Sequence, residues 1–392
     1  MLLRNVSIPG DAEKQPKDIL VENSSIRAVL PAGTTVEEAD VVYPFTDAIA
    51  FPGLINSHEH LEFNLFPKTG NRIYANYREW GDDIHSQNQQ TIREVLQVPL
   101  SLRIQWGMYK NLLNGFTTVV NHGDPLPVTN PFITVHQAAN TIHSVGFEKK
   151  WKWKLNHPRW NRQVFAIHIG EGTDAVAAEE IDTLLRWNVF NRPLVGIHAV
   201  AMKPAQARCF KALVWCPESN YFLLNRTAAM DVLQKETTIL FGTDSTLTAD
   251  WNAWPQFRMA RETRMLSDQK LIEGLTLHAA RIWNMGSVGI LRENQRADMV
   301  VARRNGRADL YDAFYAVNPE DILLVVKNGK IVLIDEEILQ QQTHAGNITD
   351  GMSEIYLNKT RKYITGNLPK LVQEIRAYYP AADFSMIRKE LV

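Results

Sequence analysis

Apolar and polar positions along the chain change their period twice. Up to residue 50, short apolar runs alternate with turns: MLLRNVSI, KDILVENSSIRAVLP and ADVVYPF. DILVENSSIRAVL reads as a hairpin turning at NSS. From residue 51, short apolar strands alternate with longer helical segments. The strands are AFPGLINSH, GFTTVVNHG, TIHSVGF, VFAIHIGE, LVGIHAV, ALVWCPES and TILFGTDS. Between them, TIREVLQVPLSLRIQWGMYKNLLNG and DAVAAEEIDTLLRWNVF predict helices. This alternation predicts an α/β region with a parallel sheet and helical crossovers. After residue 295 strands return in ADMVVARR and in ILLVVKNGKIVLID, which carries an Asn-Gly turn. SEIYLNKTRKYITGNLPKLVQEIRAYYP predicts a helical, mostly surface-facing end.

Neither strand-rich end buries enough apolar area to stand alone. Residues 1–50 and 295–345 are therefore expected to pair into one small β domain. Residues 51–294 form the central β/α region, and 346–392 a helical extension. No internal repeat interrupts this plan.

Composition narrows the classes of function. The chain has 392 residues, and its 42 Lys+Arg against 43 Asp+Glu leave no field favouring nucleic acid or an anionic membrane. KKWKWKLNHPRW is a local basic and aromatic cluster, narrower than a nucleic-acid surface. Cys209 and Cys216 outline no disulfide framework, which suits a reducing compartment. MLLRNVSIPGDAEK lacks the apolar core of a signal peptide, and no apolar run reaches the ~20 residues of a membrane helix. The expectation is a cytoplasmic protein with a small-molecule substrate.

The candidate chemistry sits where the apolar strands end. His58 and His60, one residue apart, project to the same face of a strand. His122, His168, His198, Ser219 with Asn220, and Asp244 close later strands. In an α/β barrel this end of the strands builds the site. His58, His60, His168 and Asp244 offer three imidazole nitrogens and one carboxylate oxygen, a donor set suited to zinc or ferrous iron. An ion held so brings a bound water to a pKa of about 7. Glu171, three residues after His168, either moves that water's proton or is a charge favourable at a helix start. His198 is a further ligand or polarises the substrate atom under attack; the second is preferred, because the four-ligand set is already full. His122 is expected on the pocket floor. His85, His136, His143, His157, His278 and His344 are read as structural. Glu62, Asn64, Arg72, Trp251 and Trp254 are candidates for the pocket mouth, either tryptophan stacking on a flat ring or merely packing.

These pieces together resemble the amidohydrolase superfamily, in its cytosine deaminase-like and chlorohydrolase-like branch. PGLINSHEHL resembles its strand-one signature, GFTTVVNHGD strand two, IHIGE the strand-five His-x-x-Glu, GIHAV strand six, CPESNYFLL strand seven and FGTDS strand eight. LTLHAARIWNMGSVGILRENQRADMVVARR is similar to the stretch that re-enters the small β domain. The resemblance implies a distorted (β/α)8 TIM-like barrel with a β-sandwich from both chain ends. It also implies one divalent ion, Zn2+ or Fe2+, on His58, His60, His168 and Asp244, with Glu171 as proton shuttle and His198 orienting water or substrate. Other branches hold two ions on a carboxylated lysine. Lys149, Lys150, Lys152 and Lys154 lie in a Trp-rich stretch unlike a buried strand end, so a single ion is expected. Glu59 stands between the two histidines and should point away from the metal. The interval from His122 to His168 is short for strands three and four, which leaves the pocket open or completed by a second subunit.

The leading expectation is a metal-dependent hydrolase that deaminates a heterocyclic ring. An amide, cyclic-amide or C–Cl hydrolase on the same scaffold is the first rival, separated by its product. A non-catalytic metal-stabilised binding protein is the other, separated by metal content without turnover.

Overall fold

The computed structural model describes residues 1–13, 15–36, 39, 41–158, 163–342 and 348–388. Strands β1 (Leu2–Val6), β2 (Lys17–Glu22), β3 (Ser25–Pro31) and β4 (Val42–Pro44) form a sheet of order β3-β2-β1-β4. The β2–β3 hairpin turns through Asn23 at φ 52°, a left-handed conformation asparagine tolerates. The run AFPGLINSH divides at Gly53 into β5 (Ala48–Pro52) and β6 (Leu54–Glu59). The two halves serve different sheets.

The central region supplies β7 (Phe116–Asn121), β8 (Thr134–His136), β9 (Asn140–Ser144), β10 (Phe165–Ile169), β11 (Leu194–His198), β12 (Phe210–Trp215) and β13 (Thr238–Phe241). With β6 they make two parallel sheets, β6-β7-β8 and β13-β12-β11-β10-β9. β6, β7, β10, β11 and β12 are buried nearly throughout, as a sheet covered by helices on its outer face requires, whereas β8 and β9 are only partly buried. The sheets meet where β13 reaches β6. Thr243 donates its backbone N–H to Asn56 Oδ1, and the Asp244 N–H bonds the His58 carbonyl at 3.2 Å. A Cβ on Gly242 would lie 2.7 Å from the His58 Cβ, so a glycine permits this approach.

At the other junction only residues 137–139 separate β8 from β9. Each runs parallel to its own neighbour, so residues 134–144 continue in one direction from one sheet into the next. No helix fits between them. The short interval between His122 and His168 is thus absorbed by losing crossovers, and hydrogen bonding breaks there.

The chain then returns to β structure in β14 (Met299–Arg303), β15 (Ile322–Lys327), β16 (Lys330–Asp335), β17 (Met352–Leu357), β18 (Thr360–Thr365) and β19 (Ile387–Arg388). With β5 they form a sheet of order β19-β17-β18-β16-β15-β14-β5. β5 pairs with β14 antiparallel, from Pro52 opposite Met299 to Ala48 opposite Arg303. Leu3, Val6, Ile19 and Ile26 share an apolar cluster with Ala297, Val301, Leu324 and Ile334.

The end of the chain departs from expectation. SEIYLNKTRKYIT is a hairpin, not a helix, and only Leu368–Tyr378 is helical. Ile355 and Leu357 are buried on one strand and Lys362 and Ile364 on the other, the period of two that defines a strand. Asn358, at φ 53°, makes the turn. The expected boundary at residue 345 lies outside the described residues, as does His344.

The basic and aromatic stretch is also partly different. Trp151–Leu155 is a helical turn with Trp151 and Leu155 buried and Trp153 exposed. Lys152 lies 4.1 Å over Trp187 and Lys154 pairs with Glu148, so the lysines serve the local surface. Arg159 and Trp160 lie outside the described residues. Among the described residues, no helix is long and apolar enough to cross a membrane.

Candidate metal centre

The C-terminal ends of the parallel strands converge. β6 brings His58 and the residue after that strand is His60, β10 brings His168, β11 brings His198, and the turn after β13 brings Asp244. The ligand atoms of His58, His60 and His168 lie within 4.8 Å of one another, as do those of His58, His198 and Asp244. All are buried.

Hydrogen bonds orient the rings. His168 Nδ1 donates to the His143 carbonyl at 2.8 Å. A carbonyl only accepts, so the proton sits on Nδ1 and the Nε2 lone pair is free. That lone pair faces His58 Nε2 at 3.1 Å, a separation that needs a proton or a cation between the two nitrogens. His198 Nδ1 likewise donates to Asn220 Oδ1 at 2.9 Å, turning Nε2 toward Glu171 at 3.5 Å and Asp244 at 4.0 Å. Asp244 Oδ1 lies 3.6 Å from His58 Nε2 and accepts from the Ser245 N–H at 2.8 Å. Its Oδ2 accepts from Ser219 at 2.9 Å and Thr248 at 3.0 Å. Such second partners fix the tautomer and direction of a metal ligand.

The backbone is strained at this point. His198, Ala199 and Asp244 have φ of 70°, 54° and 58°, in a region that residues with side chains seldom adopt. Such conformations persist only where surrounding contacts over-determine them.

Burial sets the protonation states. It pushes His60 down to about 3, with His58 adding repulsion, and His198 down to about 4. It also lowers His168 and His122, each helped by neighbouring imidazoles. Neutral imidazoles are what a cation needs. For Asp244 burial acts upward, but the hydrogen bond and charge of His58, then His198 and His60, outweigh it and hold the carboxyl well below its usual range. Glu171 moves the other way: burial first, then repulsion from Asp244 and Glu180, pushes it well above the usual carboxylate range. One carboxylate thus stays ionised while its neighbour readily holds a proton.

Several residues lie elsewhere than the sequence suggests. His122 does not line the cavity; it is buried behind it, its ring 4.5 Å from that of His168, with neither nitrogen hydrogen-bonded. His143, read as structural, is on β9, lines the cavity and holds His168 through its carbonyl. His85 also lines the cavity, from the helix Tyr77–Gln87. None of the residues proposed for the mouth lines it. Trp254 is wholly buried against Phe51, Phe257 and Phe314. The Trp251 carbonyl accepts from Asn114, and Arg72 is exposed and paired with Glu79. Glu62 is half-buried and is not among the residues lining the cavity. Position near a strand end did not decide these side chains; the packing of the following helices did.

Asn64 belongs to a second structure behind the centre. Glu59 is fully buried, on the side of β6 opposite to the clustered imidazoles. Its carboxylate accepts from Lys110 Nζ at 2.9 Å, the His60 N–H at 2.9 Å, and Asn111 Nδ2, Thr243 Oγ1 and Asn64 Nδ2 at 3.2 Å each. Lys110 Nζ also bonds Asn64 Oδ1 at 2.8 Å and the Asp244 carbonyl at 3.2 Å. None of Lys110, Asn111 and Thr243 was picked from the sequence. The signal was there: a lysine in the apolar run GMYKNLL, and a glutamate in a strand end that must be buried.

Residues 198–332 match the amidohydrolase family. The chain is 21% identical to the 5-methylthioadenosine/S-adenosylhomocysteine deaminase of Caldicellulosiruptor saccharolyticus, over 85% of this chain and 92% of that protein. Its fold is similar to that of an adenosine deaminase from Xanthomonas campestris with bound zinc, with a TM-score of 0.70 and 17% identity over 97% of each chain. It is equally similar to atrazine chlorohydrolase from Arthrobacter aurescens complexed with zinc, with a TM-score of 0.70 and 16% identity over 97% of this chain and 100% of that one. The stretch matched runs from His198 through Asp244 into the returning β structure, and the histidines and aspartate gathered at the strand ends form a donor set for a divalent cation. The match to the amidohydrolase family thus covers residues 198–332, the part of the chain that brings His198 and Asp244 to the centre.

Proposed function

We propose that this protein is a metal-dependent hydrolase that deaminates a heterocyclic small molecule. The observation that carries the reading is the split at the strand ends. Two overlapping donor triads, His58 with His60 and His168, and His58 with His198 and Asp244, stand against a buried Glu171 with a raised pKa, 3.5 Å from the His198 ring. The same reading joins the two parallel sheets into one distorted (β/α)8 barrel, shortened at β8 and β9. Residues 1–50 and 295–345 pack beside it as one β-sandwich unit, supported by the β5–β14 pairing and the shared apolar cluster.

His58, His60, His168 and Asp244 would hold the ion, zinc or ferrous iron. When bound, such an ion lowers the pKa of a coordinated water to about 7 and makes it a nucleophile at neutral pH. Glu171 then takes a proton and returns it to the ring nitrogen or the leaving amine. A carboxyl held above its usual range does both near neutrality. Neutral His198, kept in one tautomer by Asn220, presents Nε2 beside Glu171 and orients the attacked atom or the water. Asp244, ionised, is ligand and acceptor together. The ring carbon gains oxygen from water and loses its amine as ammonia.

The test is a panel of aminated heterocycles, cyclic amides and chlorinated rings offered to the zinc- or iron-loaded protein. Ammonia release supports deamination. A new carboxylate or chloride, without ammonia, transfers the same residues to the amide or C–Cl reading. Tight metal binding with no turnover across the panel removes the enzyme reading.

A further inference from the structure

The cavity above the histidine cluster has a volume of about 490 Å3. Its inner end carries His60, His168, Glu171, His198 and Asp244. Its outer wall is of a different chemistry. Two consecutive helices, Tyr77–Gln87 and Gln89–Leu96, each turn a pair of large apolar side chains four residues apart toward it: Trp80 with Ile84, and Ile92 with Leu96. Residues so spaced form one stripe on a helix. Phe147, packed against the first helix, and Phe66 also line the cavity. The wall is held in place. The Trp80 indole N–H donates to the Thr69 carbonyl at 2.7 Å, fixing the ring. Phe147 presses so closely on the first helix that a Cβ on Gly81 would lie 2.7 Å from its Cζ. Yet Leu96 and Phe147 remain 49% and 44% exposed, apolar surface left open among the described residues.

The electrostatics point the same way. Among the described residues lining the cavity there is no lysine or arginine. Arg72, before the first helix, and Arg78, in its first turn, are taken up by Glu79 and Glu180. The ionisable groups of the outer wall are Asp82, which repels anions, and His85.

We propose that the substrate's reacting ring carries an uncharged apolar arm, alkyl or aryl, which lies along Trp80, Ile84, Ile92, Leu96 and Phe147. Rings whose arm ends in carboxylate or phosphate are refused. An anion placed there would lose water and meet no lysine or arginine, only Asp82 and the imidazole of His85. This inference rests on the hydrolytic reading of the inner end, so its test is kept apart from turnover.

The test measures binding of purine and triazine rings that lack a leaving amine, each bearing a methyl, propyl, benzyl, carboxypropyl or phosphonopropyl arm. Titration into zinc-loaded protein is followed by calorimetry. Affinity is expected to rise about fourfold for each added methylene, which is the worth of about 0.8 kcal/mol per buried CH2. The carboxypropyl and phosphonopropyl rings should bind at least tenfold more weakly than the propyl ring. Leu96→Lys, at an exposed position, should narrow that gap by weakening benzyl and strengthening carboxypropyl binding. Charged arms that bind as well as propyl in the wild-type protein overturn the proposal, and so does failure of every apolar-armed ring to bind. Ammonia release from aminated rings without dependence on the arm overturns it while leaving deamination standing. Arm-dependent binding without ammonia release keeps the channel and removes the deaminase reading.

Discussion

Lys110 and Glu59 form an ion pair of 2.9 Å in which neither side chain reaches water. The pair stands directly behind the candidate metal centre. Glu59 accepts the backbone N–H of His60, and Lys110 holds the Asp244 carbonyl, so the ammonium ties two ligand-bearing segments together. Removing one partner strands a buried charge, whose expected loss is about 3–5 kcal/mol. Lys110→Met should show that loss in chemical denaturation and a weaker hold on zinc in chelator competition. Adding Glu59→Gln removes the stranded carboxylate and should restore part of the stability. If Lys110→Met unfolds at the wild-type denaturant concentration, the pair does not brace the centre.

Metal analysis after exhaustive dialysis should find about one zinc or iron per chain. His58→Ala and Asp244→Ala should each reduce it. His122→Asn should not, because its ring stands outside the clustered ligand atoms. A content near two, or full occupancy in both Ala variants, removes this ligand set.

Glu171→Gln keeps the size of the side chain but cannot accept a proton. Turnover on any substrate found should fall by about 10²–10⁴, the usual worth of a positioned acid–base group. Metal content should be unchanged. In the wild-type protein, activity should decline as pH falls through the raised Glu171 pKa, above the ordinary carboxylate range, and the Gln variant should lack that acidic limb. A change confined to KM assigns Glu171 to substrate binding instead.

The buried imidazoles make the metal-free protein acid-sensitive. His60 and His198 have folded pKa values of about 3 and about 4, below the ordinary 6.5 of an exposed histidine. The unfolded chain therefore binds protons first as pH falls. Stability from these groups is whole above pH 6.5 and is lost on descending toward 4 and 3. At pH 5 each should remove roughly 2 kcal/mol. Urea denaturation of metal-free protein between pH 7.5 and 5 measures this. A flat profile means that the rings are open to water.

The N-terminal strands cover part of the returning β structure. β5 supplies the edge of its sheet, and Leu3, Val6 and Ile19 fill the cluster beneath Val301 and Leu324. A chain beginning near residue 48 keeps β5 but loses β1–β4 and the apolar side chains they bring to that cluster, and should be less soluble and melt earlier than the full one. Equal solubility and melting temperature separate the two ends into independent units.

The local sequence determined the elements that depend on short-range pattern. Apolar runs closed by histidine or aspartate placed His58, His60, His168, His198 and Asp244 at strand ends, because a parallel strand buried on both faces leaves its polar residues at its end. Repetition of that pattern pointed to one shared site. The hairpin at the end of the chain reads as helix in the sequence, because its charged residues disguise the alternation around Asn358. Lys362 is buried there by bonding to Asp335 and to two carbonyls, which no local pattern shows. What the tertiary structure alone decided lies in contacts between distant segments. Which ring nitrogen of His168 and His198 is free follows from His143 and Asn220, 25 and 22 residues away. That Glu59 braces the centre depends on Lys110, 51 residues on. That the cavity wall is Trp80, Ile84 and Phe147, with Trp254 packed in the core, follows from how helices settle on the sheet. A residue's type and period say that it is to be buried or bonded; only the packed chain says against what.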